Sequence, residues 1–276
     1  MSAGKARRVC KPSVVMEREQ LRTTFEQVPE LYDRARPTYP AELFDDLADL
    51  AALGEGARVL EVGCGTGQAT LPLARRGYSI LCVELGAGLA AAAERKLRGF
   101  ANVEIVHANF ETWEPSRAGF DAIVAFTAFH WVDPELRYPK AARLLRDRGS
   151  LAVAGSLHVQ RPGGDTFWAE VQEDYDAVVP SPDNRPPPLP DEIDDLREEI
   201  EASGHFEYVG ERRYVWDTEY DADEYISLLD TYSGHRSLDD ERRRALYDRI
   251  RRRIDARPGR RVTKTYITML NVARKI

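Results

Sequence analysis

The chain has 276 residues, 43% hydrophobic and 31% charged, with 19 Gly and 16 Pro. Such a composition supports a sizeable core and excludes collagen-like, mucin-like and wholly disordered chains. Lys and Arg number 39 against 46 Asp and Glu, a net charge of −7, which disfavours non-specific nucleic-acid binding. Of three cysteines, Cys64 and Cys82 lie in or beside apolar strand-like text and Cys10 near the N-terminus; they read as reduced thiols, which favours a cytoplasmic setting. No apolar run approaches the ~20 residues that cross a bilayer, and neither the cysteines nor the five histidines have metal-ligand spacing.

Residues 1–15 carry Lys5, Arg7, Arg8 and Lys11 with no apolar stretch behind them, which reads as a disordered tail rather than a secretory signal, with Met16 as the natural start. Residues 17–35 are helix-prone and end in the Pro-punctuated stretch 36–40. Residues 41–53 place Leu43, Phe44, Leu47, Leu50 and Leu53 at helical spacing, with Gly54 as the expected cap. Strands and helices then alternate: strand 59–62, helix 68–76 with Pro72 in its first turns, strand 79–83, helix 87–97, strand 103–107, strand 120–126, helix 134–148 closed by Gly149, and strand 150–154. This alternation predicts a parallel sheet covered on both faces. Beyond it come an aromatic helix over 167–178, a Pro-rich loop, an acidic helix over 191–202, a strand over 206–216, a helix over 223–229, a basic helix over 238–256 and a last strand over 263–273.

The most informative text is Val59-Leu-Glu-Val-Gly-Cys-Gly-Thr-Gly-Gln68, a strand entering a glycine-rich turn that opens a helix. Glycines there allow positive φ and close approach of a ligand to the backbone, and helix N-terminal amides face that ligand. Gly63, Gly65 and Gly67 fall at first, third and fifth positions, not the first, third and sixth of the dinucleotide fingerprint, and no Lys-Ser/Thr follows as a P-loop requires. Twenty-one residues after Gly63, Glu84 ends the second strand, where a carboxylate can accept both hydroxyls of a ribose.

At these residues the chain resembles the class I S-adenosylmethionine-dependent methyltransferases, with a likeness to small-molecule members of the type 11 kind. The resemblance covers roughly residues 20–155. It rests on Glu61 to Gly67, on Glu84, on Ala108-Asn109-Phe110, on Phe120 to Pro134, and on the N-terminal segment Tyr32 to Pro40. It implies a doubly wound, Rossmann-like α/β fold with a seven-stranded sheet, the last strand antiparallel, and helical lid insertions. It also implies S-adenosyl-L-methionine as cofactor and methyl transfer to a small-molecule acceptor by in-line displacement. The loop Gly63 to Gly67, with Glu61 before it, would pass under the methionine and ribose. Glu84 would hold the ribose and Leu85 meet the adenine. Asn109 would reach the adenine amine, in a position where Asp is commoner, and Phe110 would flank the ring. Thr127 would lie near the amino-acid end, and Tyr32 or Arg36 would meet its carboxylate from the lid, with Tyr39 beside them.

On this reading residues 16–156 form the cofactor-binding core with an N-terminal lid, 157–205 a helical cap, and 206–276 the completion of the sheet with the basic helix. His130 is the candidate general base or acceptor-orienting group; a packed His130–Trp131 pair closing the fourth strand explains it slightly better. Asn109 and Phe110 are also explained as a turn Asn and a core Phe. His158, Trp168, Tyr175, Tyr225, Tyr232 and His235 are candidates for the acceptor pocket, with helix core the better default for Trp168 and Tyr175. Arg36 and Arg161 allow a carboxylic acid as acceptor. From Arg236 to Lys264, 12 Lys and Arg stand against 5 acids, which reads as a solvated helix face with Leu246, Ile250 and Ile254 as its apolar stripe. The rival readings are an RNA methyltransferase using that basic surface and a non-enzymatic cofactor-binding module. No membrane partner is expected, and the sequence is silent on oligomeric state.

Overall fold

The computed structural model describes residues 29–181 and 184–276. The N-terminal tail, the Met16 start, Cys10 and most of the 17–35 helix lie outside the described residues. The remainder of that helix is α1 (Pro29–Ala35).

α2 (Ala41–Ala51) buries Leu43, Phe44, Leu47 and Ala51. Its left-handed cap is Ala52, at φ 52°, rather than Gly54: the N–H groups of Ala52 and Leu53 turn back onto Asp49 and Ala48, so the helix ends two residues early. β1 (Arg58–Val62), β2 (Ser79–Glu84), β3 (Val103–His107) and β4 (Phe120–Phe126) follow, with α3 (Thr70–Arg75) and α4 (Ala87–Leu97) as crossovers. Pro72 sits in the first turn of α3, where its missing N–H leaves no helical bond unmade.

α5 (Pro134–Leu144) starts on the Asp133 side chain, which accepts the Glu135 N–H at 2.9 Å. It stops four residues before the expected end. β5 (Leu145–Val159) begins there, with a register irregularity between Leu145 and Ser150 where Arg148 has φ 59°, and a Cβ at Gly149 would lie 3.0 Å from the Arg146 carbonyl oxygen. β5 is longer than its apolar centre suggested and includes His158. β6 (Phe206–Tyr220) and β7 (Val262–Lys275) form a long antiparallel pair.

The sheet order is β3-β2-β1-β4-β5-β7-β6. β1 to β5 pair in parallel, and β7 is antiparallel to both β5 and β6. The seven-stranded, doubly wound expectation holds, including the antiparallel last strand. Val59 packs on one face with α2, α3 and α4; Leu60 and Val62 pack on the other with α5. The strand order reverses between β1 and β4, so their carboxyl ends open on one crevice.

The expected 167–178 helix runs as α6 (Phe167–Glu170) and α7 (Gln172–Val178). The acidic helix is reduced to α8 (Arg197–Ala202) after a 3₁₀ turn at Pro190–Glu192. Ile200 of α8 packs against the sheet with the α5 cluster. α6 and α7 instead share a separate apolar cluster with α9 (Ala222–Leu229) and α11 (Asp240–Asp255), helices inserted between β6 and β7 on either side of the short α10 (Ser233–Arg236). That cluster is therefore built from two chain segments. Leu246, Ile250 and Ile254 of α11 are fully buried in it, as their stripe indicated. No helix among the described residues is long and apolar enough to cross a membrane.

Candidate active site

The three loop glycines all have positive φ: 70° at Gly63, 58° at Gly65 and 80° at Gly67. They serve different ends. A Cβ on Gly63 would stand 2.6 Å from the Ala128 Cβ, and one on Gly67 would stand 2.9 Å from Leu97 Cδ1. Those two glycines let the turn pack against β4 and α4. A Cβ on Gly65 would meet only the Tyr32 ring, at 4.0 Å, on the wall of an open cleft.

That cleft has a volume of about 260 Å³. Gly63, Gly65, Glu84, Leu85 and Phe110 line it from the sheet side; Tyr32, Arg36, Thr127, His130 and Tyr232 also line it. Glu84 is buried, and its two carboxylate oxygens accept the N–H groups of Gly65 and Gly86, each at 2.8 Å. Glu61, Gly67 and Asn109 are outside this lining. Asn109 Oδ1 accepts the Glu111 N–H at 2.9 Å, the local bond of a turn asparagine. Glu61 is fully buried behind the loop, with Oε2 3.8 Å from Cys82 Sγ and Oε1 without a partner. Burial pushes its carboxyl up to about 7, against the hydrogen bonds from Thr70 and Cys82.

The residues in and after α1 are tied down. Thr66 Oγ1 donates to Asp33 Oδ1 at 2.6 Å, joining α1 to the glycine loop, and Lys96 pairs with the same carboxylate. Arg36 donates to the Thr231 side chain and carbonyl at 2.8 and 3.0 Å, and its guanidinium lies 4.2 Å from the Tyr232 ring centre. The Tyr39 and Thr127 hydroxyls are 2.8 Å apart. Thr127 follows β4 at φ 54°, an unusual conformation for a β-branched residue, held by its N–H on the Ala154 carbonyl at 2.7 Å. His130 stands on the rim with Trp131 beside it, ring centres 5.0 Å apart. Although its outer edge meets solvent, the surrounding protein and then the Arg137 cation lower its imidazole to about 4.

A second cavity of about 380 Å³ shares Tyr32, Arg36, Thr127 and Tyr232 with the first. His158, Tyr175, Tyr225, His235, Lys264 and Tyr266 also line it. Trp168 does not, and packs in the cap core as expected; Tyr175 does, against the helix-core default. Arg161 pairs with Asp217 at 3.3 Å and reaches neither cavity. The basic run did not mark Lys264 as a site residue. It counted there as one more solvated cation, yet it lies on β7 and is 3% exposed. Its isolation between Thr263 and Thr265 in strand text was the available signal. Several cations of the basic run are engaged within the chain: Arg253 with Asp174 at 2.6 Å, Arg251 with Asp223 at 2.6 Å and Arg243 with Asp240 at 2.6 Å on α11, and Arg257 beyond it with Asp165. That pairing removes much of the surface on which the RNA reading relied.

Residues 59–149 match a family model described as a methyltransferase domain. Over this segment the chain is similar to methyltransferases. An uncharacterized methyltransferase of Mycobacterium tuberculosis is 31% identical over 150 residues, which cover 53% of this chain and 57% of that one. A malonyl-[acyl-carrier protein] O-methyltransferase of Geobacter sulfurreducens is 31% identical over 172 residues, 60% of this chain and 61% of that one. The match thus spans little more than half the length of these relatives. Among solved structures, the [4+2]-cyclase SpnF has the same fold, with a TM-score of 0.52 at 20% identity, covering 92% of this chain and 96% of that one. The YcgJ protein of Bacillus subtilis gives 0.51 at 14% identity, covering 86% and 99%. The matched segment holds the glycine loop, Glu84 and Thr127; Tyr32, Arg36, Tyr39 and the second cavity's Lys264 lie outside it.

Proposed function

We propose that this chain is an enzyme that transfers the methyl group of S-adenosylmethionine to a small-molecule acceptor. The observation that carries the reading is the joint between Gly65 and Glu84, which sets an open glycine turn and a buried carboxylate on one wall of the cleft. When bound there, the cofactor supplies an electrophilic methyl on a sulfonium whose sulfur becomes neutral on leaving.

The chain's own residues would do the rest by binding and orientation. Glu84 would accept the ribose hydroxyls while keeping the loop amides in place. Leu85 and Phe110 would contact the adenine, and Arg36, braced on Thr231, would meet the amino-acid carboxylate. Thr127, Tyr32 and Tyr232 stand where the two cavities meet, which is where a near-attack arrangement of acceptor and methyl would be held. The cap and lid would exclude water from that junction. His130 would take a proton from acceptors that must lose one.

The test is calorimetric titration with S-adenosylmethionine and S-adenosylhomocysteine, followed by a radiolabelled methyl-transfer screen over small acceptors. Absence of binding overturns the reading. Binding without any adenosylhomocysteine formed across the screen favours a non-enzymatic module.

A further inference from the structure

The second cavity holds a buried cation with no acid to neutralise it. Lys264 is 3% exposed, and no carboxylate pairs with it among the described residues. Its Nζ reaches one oxygen, the Tyr232 hydroxyl, at a long 3.4 Å. Four rings stand around it: those of Trp168, Tyr225, Tyr232 and Tyr266, with centres 5.3 to 5.6 Å from Nζ. Such contacts soften the desolvation of an ammonium without cancelling it.

The rest of the cavity points the same way. Arg36 adds a second cation, and none of the lining residues is acidic, in a chain whose net charge is −7. Two lining imidazoles each leave a buried nitrogen without a partner: Nε2 of His158 and Nδ1 of His235. His235 uses its other nitrogen on the Tyr175 hydroxyl at 3.2 Å. Burial and the Lys264 charge hold both imidazoles well below their ordinary value, so they are neutral near pH 7 and offer hydrogen bonds rather than charge. Burial lowers the Lys264 ammonium and the Tyr232 phenol beside it opposes that shift, while burial raises the Tyr232 phenol and the Lys264 and Arg36 cations more than offset it. A buried ammonium that no carboxylate pairs and two unpartnered imidazole nitrogens are the unfinished half of an anion site.

We propose that this cavity is the acceptor subsite and that it takes the acceptor by a carboxylate set on Lys264. The inference rests on the methyl-transfer reading. In that reading Arg36 is engaged by the cofactor's own carboxylate, and the bound sulfonium adds positive charge at the junction, which leaves Lys264 for an anion brought by the acceptor. One ammonium matches a monoanion. The surrounding tyrosine rings suit a flat or unsaturated body behind it.

The test uses the full chain. Adenosylhomocysteine is titrated first, and failure to bind it counts against the cofactor reading alone. Benzoate, benzamide and phenyl phosphate are then titrated into the loaded protein, with hexanoate and hexanamide as a second matched pair. An acid is expected to bind at least ~10-fold more tightly than its amide, the scale of one charge-assisted hydrogen bond. In Lys264→Met that preference is expected to vanish, with adenosylhomocysteine affinity unchanged and the melting temperature held or raised. Equal binding of acid and amide, an acid preference that survives in Lys264→Met, or no acid binding up to solubility overturns the proposal. A preference for phenyl phosphate over benzoate overturns the carboxylate assignment. Should Lys264→Met fail to fold, the acid-to-amide ratio of the wild-type protein still decides.

Discussion

The backbone N–H of Gly65 donates to Glu84 Oε2 at 2.8 Å, so the acid that ends β2 holds the loop that follows β1. The carboxylate proposed to bind the ribose is thereby also a structural part of the turn beneath it. Its second oxygen holds the Gly86 N–H at the start of α4.

Glu84→Ala is therefore expected to weaken adenosylhomocysteine binding by on the order of 2–4 kcal/mol, the loss of charge-assisted bonds to a ribose. It should also lower the stability of the free protein, because two loop amides lose their acceptor. Glu84→Gln keeps an acceptor oxygen and should fall between. Calorimetry and thermal unfolding on the same samples check both; unchanged affinity in folded Glu84→Ala removes the ribose assignment.

The glycines separate binding from folding. Gly65→Val directs its side chain into the cleft, and is expected to abolish the cofactor-induced rise in melting temperature while the free protein loses about 1–2 kcal/mol to the left-handed backbone. Gly63→Val must displace Ala128 as well and should lose considerably more stability. Equal damage from the two substitutions would show that the cleft wall is misassigned.

Glu61 sets a pH dependence of stability. Its folded carboxyl is raised to about 7 from an ordinary 4.5, so the folded state keeps a proton that the unfolded chain gives up. Stability from this group is full below about 4.5, declines as pH rises to about 7, and is flat above, a change on the order of 3 kcal/mol. Glu61→Gln should flatten that segment of the curve and be the more stable protein at pH 8. Urea unfolding between pH 4.5 and 8 gives the comparison.

His130 is expected to remain neutral down to pH 5, since its imidazole is lowered to about 4. As a proton acceptor it would give a rate that does not fall between pH 8 and 5.5 and drops only as pH nears 4. His130→Ala should leave cofactor affinity within a few-fold and cut turnover ~10²-fold or more. An acid limb near 6.5 that His130→Ala abolishes, or unchanged turnover in that variant, would contradict this role.

The succession of strands along the chain, the glycine turn and Glu84 were legible in the sequence because each is written locally: apolar runs of strand length, three glycines at a strand–helix joint, and an acid at the next strand's end. Even the buried stripe of α11 followed from helical spacing. Element ends were harder to read. Ala52 took the left-handed cap expected near Gly54, and the chain left α5 at Leu144, because turn geometry there depends on packing with distant strands.

Charge context was not legible at all. In the sequence Lys264 counts as one cation among twelve and Arg161 as a possible acid binder. In the structure Arg161 meets Asp217 at the surface, while Lys264, on the strand that returns between β5 and β6, is enclosed by rings from α6, α9 and the loop after it. Residues 168, 225, 232 and 264 meet only once two insertions fold over the sheet. Local spacing fixes which way a strand residue alternates, but burial and the distance between charges are properties of the assembled layers. The wall proposed for the cofactor was thus determined by short-range pattern, and the character of the cavity proposed for the acceptor by tertiary structure alone.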